Sequence, residues 1–186
     1  MSYCSYIRDQ PMDTLNKEYH DNQYGFPLFD DDSLFERLIL EINQAGLSWG
    51  LILKRAHGFH LAYDGFCVEK VAAYSDLDRA RLLSDAGIIR NRLKINAAIE
   101  NARRILVLRK EFGSFKGWLD AHYPLSLEDW TRLFKNTFIF TGTEIVKEFL
   151  MSTGYLPGAH DPECPIYEKI SRLDPPWMRK PVSSAS

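Results

Sequence analysis

The sequence predicts an all-α fold organised as one domain. Helix start and stop signals recur along the chain, whereas strand-like residues are confined to the short run FIF at 138–140. The chain has 186 residues, of which 45% are hydrophobic and 13% aromatic, so it can bury a sizeable core. We expect one helical domain over residues 1–173 and a mobile tail over 174–186, which contains proline and serine but few apolar residues.

The first well-marked helix starts near Ser33. Glu36 follows three residues later, which is the spacing of a capping box, in which each side chain accepts a bond from the other residue's backbone N–H. The apolar periodicity then predicts a helix over 34–45 that ends at Gly46.

Comparable signals predict the later helices. Ser48 can cap a helix over 49–63, and Asn91 can open a long helix that runs to about Phe112, just before Gly113. The other helical candidates, in chain order, are 68–74, 76–86 (opened by Ser75 or Asp76 and closed by Gly87), 114–122, 126–134 and 141–154.

In the predicted helix over 34–45, one carboxylate falls on the apolar face. Helical spacing places Glu41 beside Leu34 and Leu38, whereas Glu36 and Asn43 fall on the opposite face, which we expect to meet water. A carboxylate among apolar neighbours must be protonated or must find donors or a cation, and such groups collect at functional sites. A core glutamate paired with an arginine or a helix end fits the same pattern, so spacing alone leaves both interpretations open.

Aromatic residues surround the same part of the chain. Tyr6, Tyr19 and Tyr24 precede the helix, and Trp49 follows it. Each of them alone fits ordinary core packing, but together they could form a cage around a bound group.

Two cysteines and two histidines stand near the two ends of the sequence and form a candidate metal site. They are Cys4, His20, His160 and Cys164. Pro162 disfavours a helix through the second pair, so HDPEC at 160–164 is expected to be a loop or the start of a helix. Two Cys and two His complete a tetrahedral zinc set with no open position, which favours a structural over a catalytic role. The spacing is not that of a zinc finger, and an inert buried cysteine with surface histidines is the alternative.

Charge is separated along the chain although the net charge is only −2. Residues 79–110 carry a net charge of +7, and residues 9–41 carry −7. The basic block fits contacts to phosphates, but a solvated helix face is the simpler reading of charge alone.

Several motifs together resemble the 3-methyladenine-DNA glycosylase I family. The resemblance runs in order across roughly residues 1–166 and comprises CSY at 4–6, YHDNQYG at 19–25, LFERLILEINQAGLSW at 34–49, LLSDAGIIRNRLKINAAIENAR at 82–103, FTGTEIVKEFLMSTG at 140–154 and HDPEC at 160–164. It implies an all-α fold of the helix-hairpin-helix glycosylase superfamily. It also implies that a structural Zn²⁺ joins the amino-terminal and carboxy-terminal segments through the two Cys and two His named above.

The resemblance also implies a function. The family flips 3-methyladenine out of alkylated DNA and cuts its bond to the sugar, which would make this chain a monofunctional glycosylase that leaves an abasic site. Glu41 would bind the edge of the extruded base and is the candidate catalytic residue, although base recognition is its first assignment. The aromatic residues Tyr6, Tyr19, Tyr24 and Trp49 would stack on or border the base.

Three sequence features depart from the family pattern or leave part of it open. The best-known members carry tryptophan at positions 6 and 24, and a loop before 126–134 is shorter here. The segment 85–94 occupies the place of a DNA-binding hairpin, with Arg90, Arg92 and Lys94 available to phosphates, but it lacks a Gly-x-Gly turn.

Double-stranded DNA with alkylated bases is the expected partner of a monomer in the bacterial cytoplasm, near the nucleoid. No apolar run of ~18 residues predicts a membrane span, and three cysteines do not indicate a disulfide scaffold. A zinc-stapled DNA-binding module without catalysis is the alternative function, and a zinc hydrolase is a third.

Overall fold

The computed structural model describes residues 2–10 and 12–179, and all regular secondary structure within them is helical. Eleven α-helices are present in this described part: α1 (Tyr3–Asp9), α2 (Thr14–Asn22), α3 (Asp31–Gln44), α4 (Trp49–Ala62), α5 (Val68–Ala72), α6 (Asp76–Ser84), α7 (Arg92–Phe112), α8 (Phe115–His122), α9 (Leu127–Thr137), α10 (Thr143–Ser152) and α11 (Pro165–Ser171). Short 3₁₀ turns occupy Asp64–Phe66 and Pro176–Met178. The all-α prediction is confirmed, and the run at 138–140 is a bend rather than a strand. None of the described helices has the length and apolarity that a bilayer crossing requires.

Most predicted helix starts are confirmed by their side-chain caps. The Ser48 side chain accepts from the N–H of Leu51, and Asn91 accepts from the first turn of α7. Ser75 forms a complete capping box with Asp78. At each of these starts the polar cap accepts hydrogen bonds from backbone N–H groups that have no partner within the helix, and this stabilises the first turn.

The start of α3 and its predicted wet face are corrected by the structure. The helix begins at Asp31, and Asp30, not Ser33, is the cap, with its carboxylate accepting from the Ser33 N–H at 2.8 Å. Asn43 is only 1% exposed and donates to the Ile39 carbonyl at 2.8 Å, so it does not face water. Glu36, on the same predicted face, is half-exposed, so the expectation fails for Asn43 only, where other helices cover α3.

The long helix α7 organises the core. It packs against α3, α5, α6 and α8, while α10 packs against both α3 and α9. Fully buried aromatic rings from α8, α9 and α10 meet beside it, as in the stacked Phe115 and Phe149 rings, whose centroids lie 5.9 Å apart. Burying each such side chain contributes about 1.5–3 kcal/mol. The packing of α10 on α3 brings two helices from distant parts of the sequence to one wall of a cleft.

The α6–α7 turn, residues 85–91, is docked closely on α4. The Arg55 guanidinium donates to the carbonyls of Ala86 and Ile88. A Cβ built on Gly58 would lie 2.5 Å from the carbonyl oxygen of Gly87, which no real side chain tolerates. The absence of a side chain at Gly58 therefore allows the turn to lie against α4.

The carboxy-terminal segment is packed further than predicted. Within the expected mobile tail, Pro176 is buried, and the Trp177 N–H donates to the Gly154 carbonyl at 3.2 Å. The Trp177 ring also contacts Tyr167, with centroids 5.9 Å apart. Residues 174–179 are thus packed against the domain, and residues 180–186 of the expected mobile tail lie outside the described part.

Candidate active site and metal centre

A cleft of about 870 Å³ opens between the amino-terminal helices, the end of α3 and the start of α10. Its walls combine aromatic rings with carboxyl groups, and none of the described residues that line it is basic. The residues that matter for its chemistry are Tyr3, Tyr19, Tyr24, Glu41, Trp49 and Glu148.

Glu41 lies on this cleft and is almost fully buried, with 4% of its surface exposed. Among the described residues, none donates a hydrogen bond to its carboxylate. Burial raises its pKa to about 8; the nearby Arg37 charge opposes the rise, and the Glu148 carboxylate adds to it. At neutral pH the carboxyl group is therefore mostly protonated, and a cation entering the cleft would favour its ionised form.

Three of the four predicted aromatic residues meet at the cleft. Tyr19 lies between the other two, with its ring centroid 4.9 Å from that of Trp49 and 5.7 Å from that of Tyr24. The Tyr19 hydroxyl and the Trp49 indole nitrogen are buried and have no hydrogen-bond partner among the described residues. Buried donors without partners are costly, so a polar ligand could satisfy them.

Tyr6 does not line the cleft, and Tyr3 does. The Tyr6 hydroxyl donates to Asp13 at 2.9 Å, and its ring lies behind that of Tyr3, with centroids 6.1 Å apart and planes 16° from parallel. Tyr3 in turn donates to the Asn16 side chain at 2.8 Å. The predicted direct contact of Tyr6 with the base is not supported, because Tyr3 occupies the intervening position. Helix α1, which the sequence analysis did not predict, determines which of these two rings faces the cleft.

Glu148 is a second acidic residue of the cleft that the sequence did not single out. It lies on α10 and is half-buried, and the Tyr24 hydroxyl donates to its carboxylate at 3.1 Å. Only the packing of α10 against α3 places it near Glu41, and no local pattern predicts that packing.

The four predicted metal ligands do come together. Their ligand atoms all lie within 4.8 Å of one another. The four sulfur-to-nitrogen distances are 3.2 Å and 3.5 Å from Cys4 to His20 and His160, and 3.8 Å and 3.7 Å from Cys164 to the same two rings. Zinc bonds of ~2.3 Å to sulfur and ~2.0 Å to nitrogen in a tetrahedron would separate such atoms by about 3.6 Å. The spacing therefore fits a zinc ion.

Hydrogen bonds around the cluster orient both histidines for metal binding. The Nδ1 of His20 lies 2.7 Å from the Asp21 carboxylate, and the Nε2 of His160 lies 2.8 Å from the Tyr24 carbonyl. If these nitrogens carry the protons, the other nitrogen of each ring presents its lone pair to the cluster. Burial lowers the pKa of His160, which favours the neutral ring a metal requires, and raises that of the Cys4 thiol to about 11, so a cation would be needed to favour the thiolate.

HDPEC forms a loop followed by a helix start, as predicted. Cys164 is the N-cap residue of α11, and Pro165 occupies its first turn, where a missing N–H is harmless.

Only part of the basic block is free to meet phosphates. Arg90 and Arg92 are exposed at the α6–α7 turn and form no ion pair with any described residue. By contrast, Arg103 donates to the Ala72 carbonyl, and Arg109 pairs with Asp31. The arginines of the block thus divide into structural ones and two that remain available, and Lys110 near the end of α7 is also exposed without an ion pair to any described residue.

Lys94 does not belong to the phosphate-binding set that the sequence predicted. It is 5% exposed, and its ammonium group donates to the carbonyls of Asn43 and Ala45, each at 2.8 Å. These carbonyls lie at the end of α3, where a cation is favourable and where the cleft wall begins. Lys94 therefore stabilises the cleft wall, and its ammonium group is engaged there instead of being free for phosphates.

The family model for methyladenine glycosylase matches residues 9–128, which is more than half of the chain. The chain belongs to the 3-methyladenine DNA glycosylase I family. It is thus a DNA glycosylase, as the sequence motifs predicted.

Other members of the 3-methyladenine DNA glycosylase I family align with most of this chain. DNA-3-methyladenine glycosylase 1 of Escherichia coli is 35% identical over 173 residues, which cover 83% of this chain and 91% of that protein. The DNA-3-methyladenine glycosylase of Haemophilus influenzae is 31% identical over 181 residues, covering 87% and 96%. The structure of 3-methyladenine DNA glycosylase I from Staphylococcus aureus, solved to explain its recognition of 3-methyladenine, superposes with a TM-score of 0.73 at 31% identity and covers 82% of this chain and 90% of its own.

Proposed function

We propose that this glycosylase flips 3-methyladenine out of alkylated double-stranded DNA and hydrolyses its bond to deoxyribose, leaving an abasic site. The observation that carries the proposal is a buried, ionisable Glu41 on an aromatic-lined cleft, in a chain whose relatives are named for this base.

The charge of the lesion explains why such a cleft selects it. Methylation at N3 makes the base cationic within the duplex, whereas normal adenine is neutral. Extrusion of a nucleotide costs a few kcal/mol, and least for a damaged base. A charge-assisted hydrogen bond to Glu41 contributes roughly 1.5–3 kcal/mol, and each aromatic contact with the cation contributes roughly 0.5–2 kcal/mol. These contributions offset extrusion for the cationic base and less readily for adenine.

The same charge eases the chemical step. When the bond between the base nitrogen and C1′ of the sugar breaks, the electron pair returns to the base, which departs as a neutral molecule. A water oxygen then bonds to C1′ and loses its proton to solvent. Little general-acid assistance is needed, so we assign Glu41 first to recognising the cation. No lysine is found among the described residues lining the cleft, which supports hydrolysis without a covalent strand-cleaving intermediate.

We propose that Cys4, His20, His160 and Cys164 bind one structural Zn²⁺. Four protein ligands leave no position for water, so the ion would serve as a clasp that holds α1 and α2 against the loop before α11. The His160 bond to the Tyr24 carbonyl connects this clasp directly to an aromatic wall of the cleft.

For DNA binding, we propose that the α6–α7 turn contacts the phosphate backbone through Arg90 and Arg92, with the protein acting as a monomer near the bacterial nucleoid. Such contacts would position the duplex but would not select the base. Selection would fall to the cleft.

Mass spectrometry of the bases released from methylated duplex DNA tests this function. We expect free 3-methyladenine, and strand breaks only after the abasic DNA is treated with alkali. Binding of methylated DNA without any released base would contradict the proposal and indicate a non-catalytic DNA-binding module. Breaks without alkali would contradict the hydrolytic, monofunctional part.

A further inference from the structure

Glu148 is placed where it can act on both the shape and the charge of the cleft. The packing of α10 on α3 brings its half-buried carboxylate to the wall near Glu41. Tyr24 is 7% exposed, and its hydroxyl donates to Glu148 at 3.1 Å. The bond joins an aromatic wall of the cleft to a helix 124 positions further along the chain.

A neutral acceptor could also accept from the Tyr24 hydroxyl, although with a weaker bond, so the charge of Glu148 needs a separate explanation. Its carboxylate raises the pKa of the buried Glu41, which makes ionisation of that recognition residue harder in the empty cleft. A charge that works against a neighbouring functional group is unfavourable unless a bound cation compensates it.

The charges around Glu41 leave one negative charge to be compensated. Arg37 on the same helix, Glu148 on α10, and the hydroxyls of Tyr19 and Tyr24 are the titratable groups that face it. Arg37 donates to the Ser152 carbonyl and lies over the Tyr19 ring, 5.0 Å from its centroid, so it is fixed in place. When Glu41 and Glu148 are both ionised, this single arginine balances one of them. A cationic base would balance the other.

We propose that Glu148 is a second specificity-determining residue of this cleft, which holds the Tyr24 ring in the wall and supplies negative charge that favours a cationic over a neutral purine. The inference rests on the proposed excision of 3-methyladenine and identifies a further residue that selects the lesion.

The test compares single-turnover release of 3-methyladenine by the wild type and by Glu148→Gln. The glutamine keeps an acceptor for the Tyr24 hydroxyl and removes the charge. We expect release to fall roughly 5- to 30-fold, while affinity for a duplex carrying an uncharged abasic-site analogue stays within about twofold, since no cation then enters the cleft. Glu128→Gln, an exposed change of the same charge on α9, should leave both quantities at wild-type values.

Two further measurements separate charge from packing. In Glu148→Gln the acid limb of the kcat/KM profile should move to lower pH, because Glu41 ionises more readily without a neighbouring anion. Tyr24→Phe, which keeps the charge and removes the hydroxyl, should reduce release less than Glu148→Gln does.

The failures are distinguishable. A wild type that frees no 3-methyladenine would overturn the proposed function itself. An active wild type with Glu148→Gln unchanged in rate and pH profile would overturn the role of Glu148. Equal losses of release, abasic-duplex affinity and thermal stability would also overturn it, because they would reveal a purely structural residue.

Discussion

Replacing Glu41 by glutamine should make the protein more stable at alkaline pH, although it removes the residue that recognises the base. Glu41 ionises near 4.5 in an unfolded chain, and burial raises its pKa to about 8 in the folded protein. Between these values the folded state holds the extra proton. Stability therefore falls as pH rises through this interval, and the loss is complete above pH of about 8.

The size of this effect follows from the same two values. A rise from 4.5 to about 8 corresponds to about 5 kcal/mol against the ionised form. This is an upper bound, since water entry and relaxation reduce it. A buried glutamine amide lacks partners and costs about 1–3 kcal/mol, but this cost is the same at every pH and cancels in the difference between pH 5 and pH 9. We expect Glu41→Gln to gain roughly 2–4 kcal/mol relative to the wild type on going from pH 5 to pH 9.

Urea unfolding of the two proteins in the same buffers measures this difference. The Cys and His cluster is identical in both, so its own pH dependence largely cancels. Glu128→Gln should show no comparable gain, because its carboxylate is exposed. If Glu41→Gln loses stability relative to the wild type between pH 5 and pH 9, Glu41 is held by a favourable ionic partner and the reasoning is wrong.

Three further predictions concern the Cys and His cluster, the α6–α7 turn and the end of α3. Metal analysis should find about one zinc per chain, and Cys164→Ser should lower both the zinc content and the melting temperature; an unchanged melting temperature after zinc loss would exclude a clasp. Gly58→Ala should displace the α6–α7 turn from Gly87 and weaken duplex binding measured by fluorescence anisotropy, whereas wild-type affinity would show that the close contact does not position the turn. Lys94→Met should destabilise the end of α3 by about 1–3 kcal/mol in urea and leave the salt dependence of DNA binding unchanged; a shallower salt dependence would restore Lys94 to the phosphate-binding set.

Features encoded by local chemistry could be predicted from the sequence. Helices α4, α6 and α7 start where polar caps predicted them, because a cap satisfies donors within its own first turn. The buried position of Glu41 followed from the helical period shared with Leu34 and Leu38.

Features that depend on long-range packing could not be predicted. Asn43 lies on the polar side of the same period, but other helices cover it. Glu148 and Lys94 acquire their roles from contacts with Tyr24 and with the end of α3, and neither contact has a local signature. The short helix α1, which the sequence analysis did not predict, places Tyr3 on the cleft and Tyr6 behind it.

The central claim is that a buried carboxylate selects a cationic base, and single-turnover release of 3-methyladenine near pH 8 by wild type and Glu41→Gln tests it most directly. Loss of a charge-assisted bond contributing roughly 1.5–3 kcal/mol predicts a rate about 10- to 150-fold lower for the variant. Release by the folded variant at the wild-type rate would contradict the account.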